Sequence, residues 1–168
     1  MTRIPEPTRD QLSADGQAAF DRIRATRGGL RGPYGVLLHH PALADRVAAL
    51  GEQLRFRSLL AGADRELAIL AAAREVDAPY EWAAHEPIAL RDRRPSDGLR
   101  PREAMIIDTA RALYRTHRLD DAQYARAEAE LGRPALVELV TLVGYYGMIA
   151  FVLNAFDVTL PPSPAAPQ

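Results

Sequence analysis

The chain has 168 residues, of which 48% are hydrophobic and 26% charged, the composition of an ordinary soluble globular protein. Its 21 basic and 22 acidic residues nearly cancel, which argues against a nucleic-acid or membrane-surface partner. It has no cysteine, so disulfides, thiolate nucleophiles and cysteine-based metal sites are excluded. The N-terminus has no apolar run typical of a signal peptide, and no stretch is expected to span a bilayer. We therefore expect a cytoplasmic protein.

Apolar residues at helical spacing predict helices along the whole chain. No run of β-branched residues alternates with polar ones, so the predicted fold class is all-α. We expect one domain over residues 1–168, with an extended arm at 1–12 and a proline-rich tail at 161–168. The predicted helices cover residues 13–27, 42–59, 64–76, 79–90, 101–116, 122–131 and 134–156.

Capping residues set several of the expected helix ends. Ser13 is a typical N-cap, and Asp120 or Asp121 caps the sixth of these helices. Gly132 ends that helix. The helix at 42–59 is expected to face the core with Leu43, Val47, Leu50 and Leu54.

Residues 64–90 contain the only tryptophan and a candidate pair for proton transfer. The helix at 64–76 is apolar on most of its circumference, which places it in the centre of a domain. If Pro79 is the first residue of the next helix, Glu81 and His85 lie four residues apart on one face. A neighbouring carboxylate favours the imidazolium and orients the ring, so this pair can transfer protons near neutral pH.

Four short motifs stand out in the chain: Arg65-Glu66-Leu67, Tyr80-Glu81-Trp82 with His85, Gly144-Tyr145-Tyr146 and Asn154-Ala155-Phe156. Together they resemble the carboxymuconolactone decarboxylase-like family, a broad group that includes the AhpD-like alkylhydroperoxidases. The resemblance extends from about residue 32 to 160. It implies an all-helical bundle that assembles as trimers or hexamers, with sites between helices and near subunit contacts.

The chain departs from this family at the position of its thiols. The peroxidases of the group carry Cys-x-x-Cys followed four residues later by histidine, where this chain has Ala78, Glu81 and His85. Glu66 matches the glutamate of their proton relay. The loop at 91–100 also looks shorter than the family's usual connection, which affects the expected pocket wall.

The resemblance and the residue types together nominate two groups of site residues. We expect one phenol of the adjacent Tyr145 and Tyr146 to enter a pocket, because neighbouring residues on a helix point in different directions. The proposed catalytic residues are His85, Glu81 and Glu66, and the proposed substrate-binding residues are Tyr80, Trp82, Tyr145, Tyr146 and His39.

Each catalytic candidate also has a purely structural interpretation. His85 could be a buried histidine that satisfies hydrogen bonds between two helices, and Glu81 a surface partner of it. Glu66 could be a first-turn carboxylate favoured by the helix dipole. Trp82 and Tyr80 suit a core or pocket wall better than chemistry. We expect no metal, because nothing brings His39 and His40 to the same place as these residues.

Two functions follow as alternatives. The first is a cofactor-free acid–base enzyme, a lyase, decarboxylase or isomerase, acting on a small organic acid, lactone or enol. The second is a non-catalytic helical oligomer that keeps the fold as a binding or assembly subunit. A thiol peroxidase is excluded as self-contained chemistry because the chain has no cysteine.

Overall fold

The computed structural model describes residues 2–30, 32–91 and 98–160, and within these ranges every regular element is helical. A 3-10 turn, Arg9–Gln11, precedes the α-helices. The predicted all-α fold class is therefore confirmed. The helices are α1 (Ala14–Arg27), α2 (Pro33–Leu37), α3 (Pro41–Phe56), α4 (Gly62–Glu75), α5 (Pro79–Ala89), α6 (Pro101–Arg115) and α7 (Asp121–Ala155).

Helix ends follow the capping residues. The Ser13 hydroxyl accepts a hydrogen bond from the Gly16 amide at 3.3 Å, and Asp120 Oδ1 accepts one from the Gln123 amide at 2.8 Å. Gly132 has φ 72° and ψ 160°, which no helix tolerates, so α7 is two helices joined at this residue. The predicted break at Gly132 is confirmed.

Helix α4 lies in the centre of the bundle, packed against α5, α6 and α7. Its Ala68, Ile69 and Ala72 are completely buried. A helix with apolar side chains on almost every face can remove them from water only in such a central position. Its central position also places Glu66 beneath α5, which carries Glu81 and His85.

Helix α3 differs from its predicted core face. Leu43 and Leu50 are 46% and 43% exposed, so the expectation that both face the core is wrong. Val47 and Leu54 are buried as predicted. The buried stripe is completed by small residues, Ala44, Ala48 and Gly51, which allow α1 to pack closely against α3.

The second part of α7 is apolar enough to meet the length and composition expected of a membrane span. Residues Arg133–Ala155 form a 23-residue helix with a mean hydropathy of 2.0. The expectation that no stretch is long and apolar enough to span a bilayer is therefore wrong. Within its most apolar window, 56% of the residues are buried inside the protein. Leu139 and Leu142, for example, are completely buried. A core helix of a soluble protein meets the same criterion.

The N-terminal arm is held against the end of α7. The Arg3 amide donates to the Phe156 carbonyl at 2.9 Å, and Arg3 Nε lies 2.6 Å from Asp157 Oδ2. The arm predicted as extended contains the 3-10 turn Arg9–Gln11. The predicted tail at 161–168, and residues 92–97 of the predicted loop at 91–100, lie outside the described residues.

Candidate functional site

A cavity of about 530 Å³ opens beside the buried face of α5. Helices α1, α2, α3, α5 and α7 all contribute to its wall. Charged and phenolic side chains are concentrated there, so the cavity offers both ionic and hydrogen-bonding groups. Its lining residues are Arg27, Gly28, Gly29, Pro33, Tyr34, Arg55, Phe56, Tyr80, Glu81, Ala84, His85, Tyr145, Tyr146 and Ile149.

His85 forms a short, buried hydrogen bond with Glu66. Its Nδ1 lies 2.6 Å from Glu66 Oε2, and the two side chains are 5% and 2% exposed. Glu66 belongs to α4 and His85 to α5, so the packing of these helices creates the pair. Behind it, Arg65 Nε lies 3.4 Å from Glu66 Oε1. The pair fixes the ring orientation and leaves Nε2 as the nitrogen that meets other groups.

Two oppositely charged groups meet the Nε2 atom of His85. Glu81 Oε2, one turn earlier on α5, lies 3.3 Å from it, within ion-pair distance. Arg55 Nη1 lies 3.4 Å from the same nitrogen and also donates to the Tyr146 hydroxyl at 3.3 Å. A neutral ring accepts at Nε2 from Arg55, whereas an imidazolium donates from Nε2 towards Glu81 Oε2. Among the described residues, this buried oxygen has no other donor.

Burial and the two carboxylates act in opposite directions on His85. Burial alone would lower the pKa of the imidazole, but hydrogen bonding to Glu66 and the charge of Glu81 outweigh it, so the pKa is raised above its ordinary value. For Glu66, burial favours the neutral acid, yet the hydrogen bond from His85 holds its pKa below the usual value. The two side chains therefore favour an imidazolium–carboxylate pair near neutral pH.

Phenol groups from α2 and α7 form part of the cavity wall. Tyr145 donates to the Val47 carbonyl at 3.2 Å, and its oxygen lies 3.0 Å from the Tyr34 hydroxyl. The Arg27 guanidinium lies over the Tyr34 ring, 4.4 Å from its centroid. Burial raises the pKa of Tyr34, Tyr145 and Tyr146 above the ordinary value. These phenols are consequently neutral hydrogen-bond donors at any physiological pH.

The structure brings most of the predicted site residues to this cavity. Glu81, His85 and Tyr80 line it, and Glu66 contacts His85 from behind. The expectation that only one of two adjacent tyrosines faces the pocket is wrong, since both Tyr145 and Tyr146 line it. Their rings pack edge to face with centroids 5.4 Å apart, and both side chains are buried.

Two predicted substrate-binding residues lie elsewhere. Trp82 follows Glu81 directly, so it points away from the cavity and borders a separate depression with Arg74 and Asp77. His39 is exposed, and its Nε2 lies 2.9 Å from the Pro5 carbonyl oxygen. Neither residue lines the cavity, so the structure does not bring these two predicted residues together with His85.

Arg27, Tyr34 and Arg55 are among the lining residues that were not predicted from the sequence. They belong to α1, α2 and α3, and no local motif connects them to the segment that carries His85. Arg55 in particular is an arginine in the last turn of a helix, a common arrangement that complements the helix dipole. Within the described ranges, no group of three or more histidine and acidic side chains is placed to hold a metal ion.

Comparison with known proteins identifies the fold. No protein-family model matches the sequence, and no curated protein matches it significantly. Among solved structures, the chain is similar to the alkylhydroperoxidase AhpD core of an uncharacterized peroxidase-related protein from Ralstonia eutropha JMP134. The TM-score is 0.75 at 17% sequence identity, covering 96% of this chain and 93% of that one. The chain therefore has the AhpD-like helical fold.

Proposed function

We propose that the cavity is the active site of a cofactor-free acid–base enzyme in which His85 transfers the proton. The observation that carries this proposal is the buried Glu66–His85 hydrogen bond of 2.6 Å beside a cavity of about 530 Å³. The substrate class is a small organic acid, lactone or enol, and the reaction a decarboxylation or isomerisation. Reactions of this kind need a positioned acid and a place for developing negative charge.

Each group around His85 has a distinct role in this proposal. Glu66 holds the Nδ1–H and stabilises the imidazolium, so Nε2 is the nitrogen that delivers or removes a proton. Arg55 and the Tyr146 hydroxyl, 3.3 Å apart, donate hydrogen bonds to an oxyanion as it forms. In a decarboxylation, carbon dioxide leaves, the electron pair becomes an enolate, and imidazolium protonates the carbon.

The magnitudes indicate that these groups must act together. General acid–base catalysis contributes roughly 10²–10⁴-fold to a rate. A preorganised oxyanion donor contributes about 10²–10³-fold. Proton transfer by His85 alone is therefore insufficient for an enzymatic rate. The cationic and phenolic hydrogen-bond donors of the cavity supply the second contribution to the rate, by stabilising the oxyanion.

A non-catalytic oligomer remains the alternative function. This chain lacks the thiols of the family that it resembles, and α7 has exposed apolar residues. Both observations favour this alternative. The burial of Glu81 opposes it, because a scaffold gains nothing from a buried carboxylate oxygen whose only possible donor among the described residues is His85. Peroxide chemistry through a thiolate is outside both functions, since this chain supplies no thiol.

The proposed function predicts that His85→Ala abolishes proton exchange without unfolding the protein. Small oxo acids and lactones are incubated in D₂O with the wild-type protein, and ¹H NMR follows loss of the exchangeable C–H signals and any decarboxylation. Because general acid–base catalysis is lost, we expect the rate on any accepted compound to fall about 10²-fold or more. Circular dichroism checks that the variant stays folded.

A matched control uses a histidine outside the site. His117 is exposed between α6 and α7 with φ 62°, a conformation that asparagine tolerates. His117→Asn should therefore keep the wild-type rate. Equal exchange rates for wild type and folded His85→Ala would contradict the acid–base function and favour the non-catalytic alternative.

A further inference from the structure

We propose that the ligand of this cavity is a carboxylate with a hydroxyl group on the second or third carbon, the enol form of a 2-oxo or 3-oxo acid. This inference rests on the proposed function and specifies its substrate class. It is carried by two guanidinium groups that form no ion pair with a described residue, and by one buried carboxylate oxygen whose only possible donor among those residues is His85 Nε2. All three groups line the same cavity.

The two guanidinium groups of the cavity, Arg27 and Arg55, form no ion pair with any described residue. Arg55 makes both of its side-chain hydrogen bonds through Nη1, to His85 and Tyr146, and Arg27 contacts a carbonyl oxygen and the Tyr34 ring. Glu66 and Glu81 act on Arg55 only through their charge. Arg27 Nε is also buried without an acceptor among the described residues. A guanidinium binds a carboxylate strongly through paired hydrogen bonds, so a ligand carboxylate satisfies both requirements.

The lining charges also favour an anion. Arg27 and Arg55 outnumber the one lining carboxylate, Glu81, while Arg65 compensates Glu66 behind the wall. With a neutral His85 the cavity wall therefore carries one formal positive charge, and the imidazolium form adds another. A ligand with a single negative charge is attracted in both states.

Glu81 determines the second group of the ligand. Its side chain is 5% exposed, and the only possible donor to its buried Oε2 among the described residues is His85 Nε2, 3.3 Å away. When Nε2 gives its proton to the ligand, this oxygen loses that donor. A buried carboxylate oxygen without a donor costs free energy, so the ligand must bring an O–H or N–H group. A hydroxyl satisfies this requirement without adding a positive charge beside Arg55.

The distance between the two recognition points limits the ligand's shape. Arg55 Nη1 and Glu81 Oε2 lie 3.4 Å and 3.3 Å from the same atom, His85 Nε2, so their separation cannot exceed these distances combined. A carboxylate and a hydroxyl held at these two points must therefore be close in the ligand. A hydroxyl on the second or third carbon meets this limit. His85 Nε2, which lies close to both recognition points, then faces a ligand carbon that lies between the carboxylate and the hydroxyl or next to one of them.

This arrangement gives a balanced route from enol to oxo acid. Glu81 accepts the proton of the enol hydroxyl, the C–O bond becomes a carbonyl, and the C=C electrons take a proton from Nε2 of the imidazolium. The product is the oxo acid, with one proton moved from oxygen to carbon. Glu81 then returns its proton to His85 Nε2 across 3.3 Å, which restores the starting state. No oxidant, reductant or cofactor enters the balance.

Binding measurements test the ligand class independently of turnover. Calorimetric titrations use mandelate, which has both groups, phenylacetate, which lacks the hydroxyl, and methyl mandelate, which lacks the charge. A hydrogen bond to a charged group contributes about 1.5–3 kcal/mol, so each omission should weaken binding roughly 10-fold to 100-fold. Equal affinity for mandelate and phenylacetate, or for mandelate and its ester, would overturn the inference.

Two variants assign the selectivity to the proposed residues. Glu81→Gln should reduce the preference for mandelate over phenylacetate several-fold, because a neutral amide accepts more weakly. Arg55→Met should reduce the preference for mandelate over its ester, whereas Arg118→Met, at an exposed loop position, should preserve both preferences. Unchanged preferences in both site variants would show that the probes bind elsewhere and would overturn the assignment.

Ketonisation of enol-phenylpyruvate, followed by its ultraviolet absorbance, separates the two proposals. If mandelate selectivity is present but His85→Ala ketonises the enol at the wild-type rate, the acid–base function fails and the ligand class stands. If His85→Ala loses proton exchange on other compounds while no probe shows the selectivity, the ligand class fails and the acid–base function stands.

Discussion

At the scale of single residues, the site depends on the two nitrogens of His85 having different surroundings. Nδ1 is fixed by Glu66 at 2.6 Å. Nε2 lies within 3.4 Å of both a carboxylate and a guanidinium. The carboxylate stabilises a proton on Nε2 and the guanidinium destabilises it, so the charge of a bound ligand can shift the balance.

The His85 pKa is the first residue-scale prediction. Burial lowers the pKa, but the hydrogen bonds to Glu66 and Glu81 raise it by more than burial lowers it. NMR titration of the ring protons should therefore give a midpoint above the ordinary value of 6.5. Glu81→Gln should lower the midpoint and shift any pH–rate profile towards acid, because the imidazolium loses an anionic neighbour. Arg55→Met should raise it, because a nearby cation is removed.

The sign of these changes separates the electrostatic interpretation from general loosening of the site. A variant that only admits water would move the pKa towards the ordinary value in both cases. Opposite shifts in Glu81→Gln and Arg55→Met are expected from the opposite charges removed. Shifts in the same direction would contradict the assignment of Nε2 to both partners.

At the scale of elements, helix α5 separates two neighbouring side chains of the Tyr80-Glu81-Trp82 motif. Glu81 faces the cavity, whereas Trp82 borders another depression, with the Arg74 guanidinium 5.9 Å from its ring centroid. Successive helical residues differ in direction by about a quarter turn. A three-residue motif on a helix therefore cannot supply three groups to one site.

Helix α7 provides a matched pair of glycines for testing its packing. A Cβ added at Gly147 would clash with the Tyr114 hydroxyl, which donates to the Val143 carbonyl, while one added at Gly144 meets nothing within 4 Å. Gly147→Ala should destabilise the protein by about 1–3 kcal/mol through overpacking. Gly144→Ala should be neutral or stabilise by about 0.5–1 kcal/mol, because glycine disfavours helix.

Chemical denaturation of both variants measures the difference. The two positions are three residues apart on one helix, so the helix propensity of the substituted residues is matched. Gly147 is buried against Tyr114, whereas Gly144 is exposed. An equal free energy of unfolding for the two variants would show that α6 and α7 are less closely packed than the structure indicates.

At the scale of the whole molecule, an exposed apolar surface on α7 supports the expected homo-oligomer. Val137 and Phe151 are 66% and 60% exposed, and Val140 and Met148 are each 38% exposed. These residues follow one another at helical spacing along one side. A continuous apolar surface of this kind is typical of an interaction site.

We predict that the protein assembles through this surface, as a trimer or hexamer. Light scattering at micromolar concentration should give a mass above that of one 18.5 kDa chain. Phe151→Glu should shift the mass towards the monomer, because a charge in an apolar interface is costly. The exposed Leu43, on α3, supplies the control Leu43→Glu, which should keep the assembly. A wild-type monomer would contradict the prediction.

The sequence alone determined the features that depend on nearby residues. Helix periodicity gave the all-α class, Ser13 and Asp120 gave two helix starts, and Gly132 gave the break in α7. The approach of Glu81 to His85 also followed, because residues four apart on a helix are neighbours whatever the rest of the chain does. All of these come from the geometry of a single helix.

Only the tertiary structure decided which distant residues complete the site. Arg55 and Tyr146 are 30 and 61 positions from His85 in sequence, yet one lies 3.4 Å from its ring nitrogen and the other packs its ring edge to face at 5.2 Å. Helical spacing contains no information on which helices meet or at what angle. The packing of α5 and α7 against α4, and of α3 against α7, fixes those contacts, because burial of the central apolar helix determines which neighbouring faces turn inward.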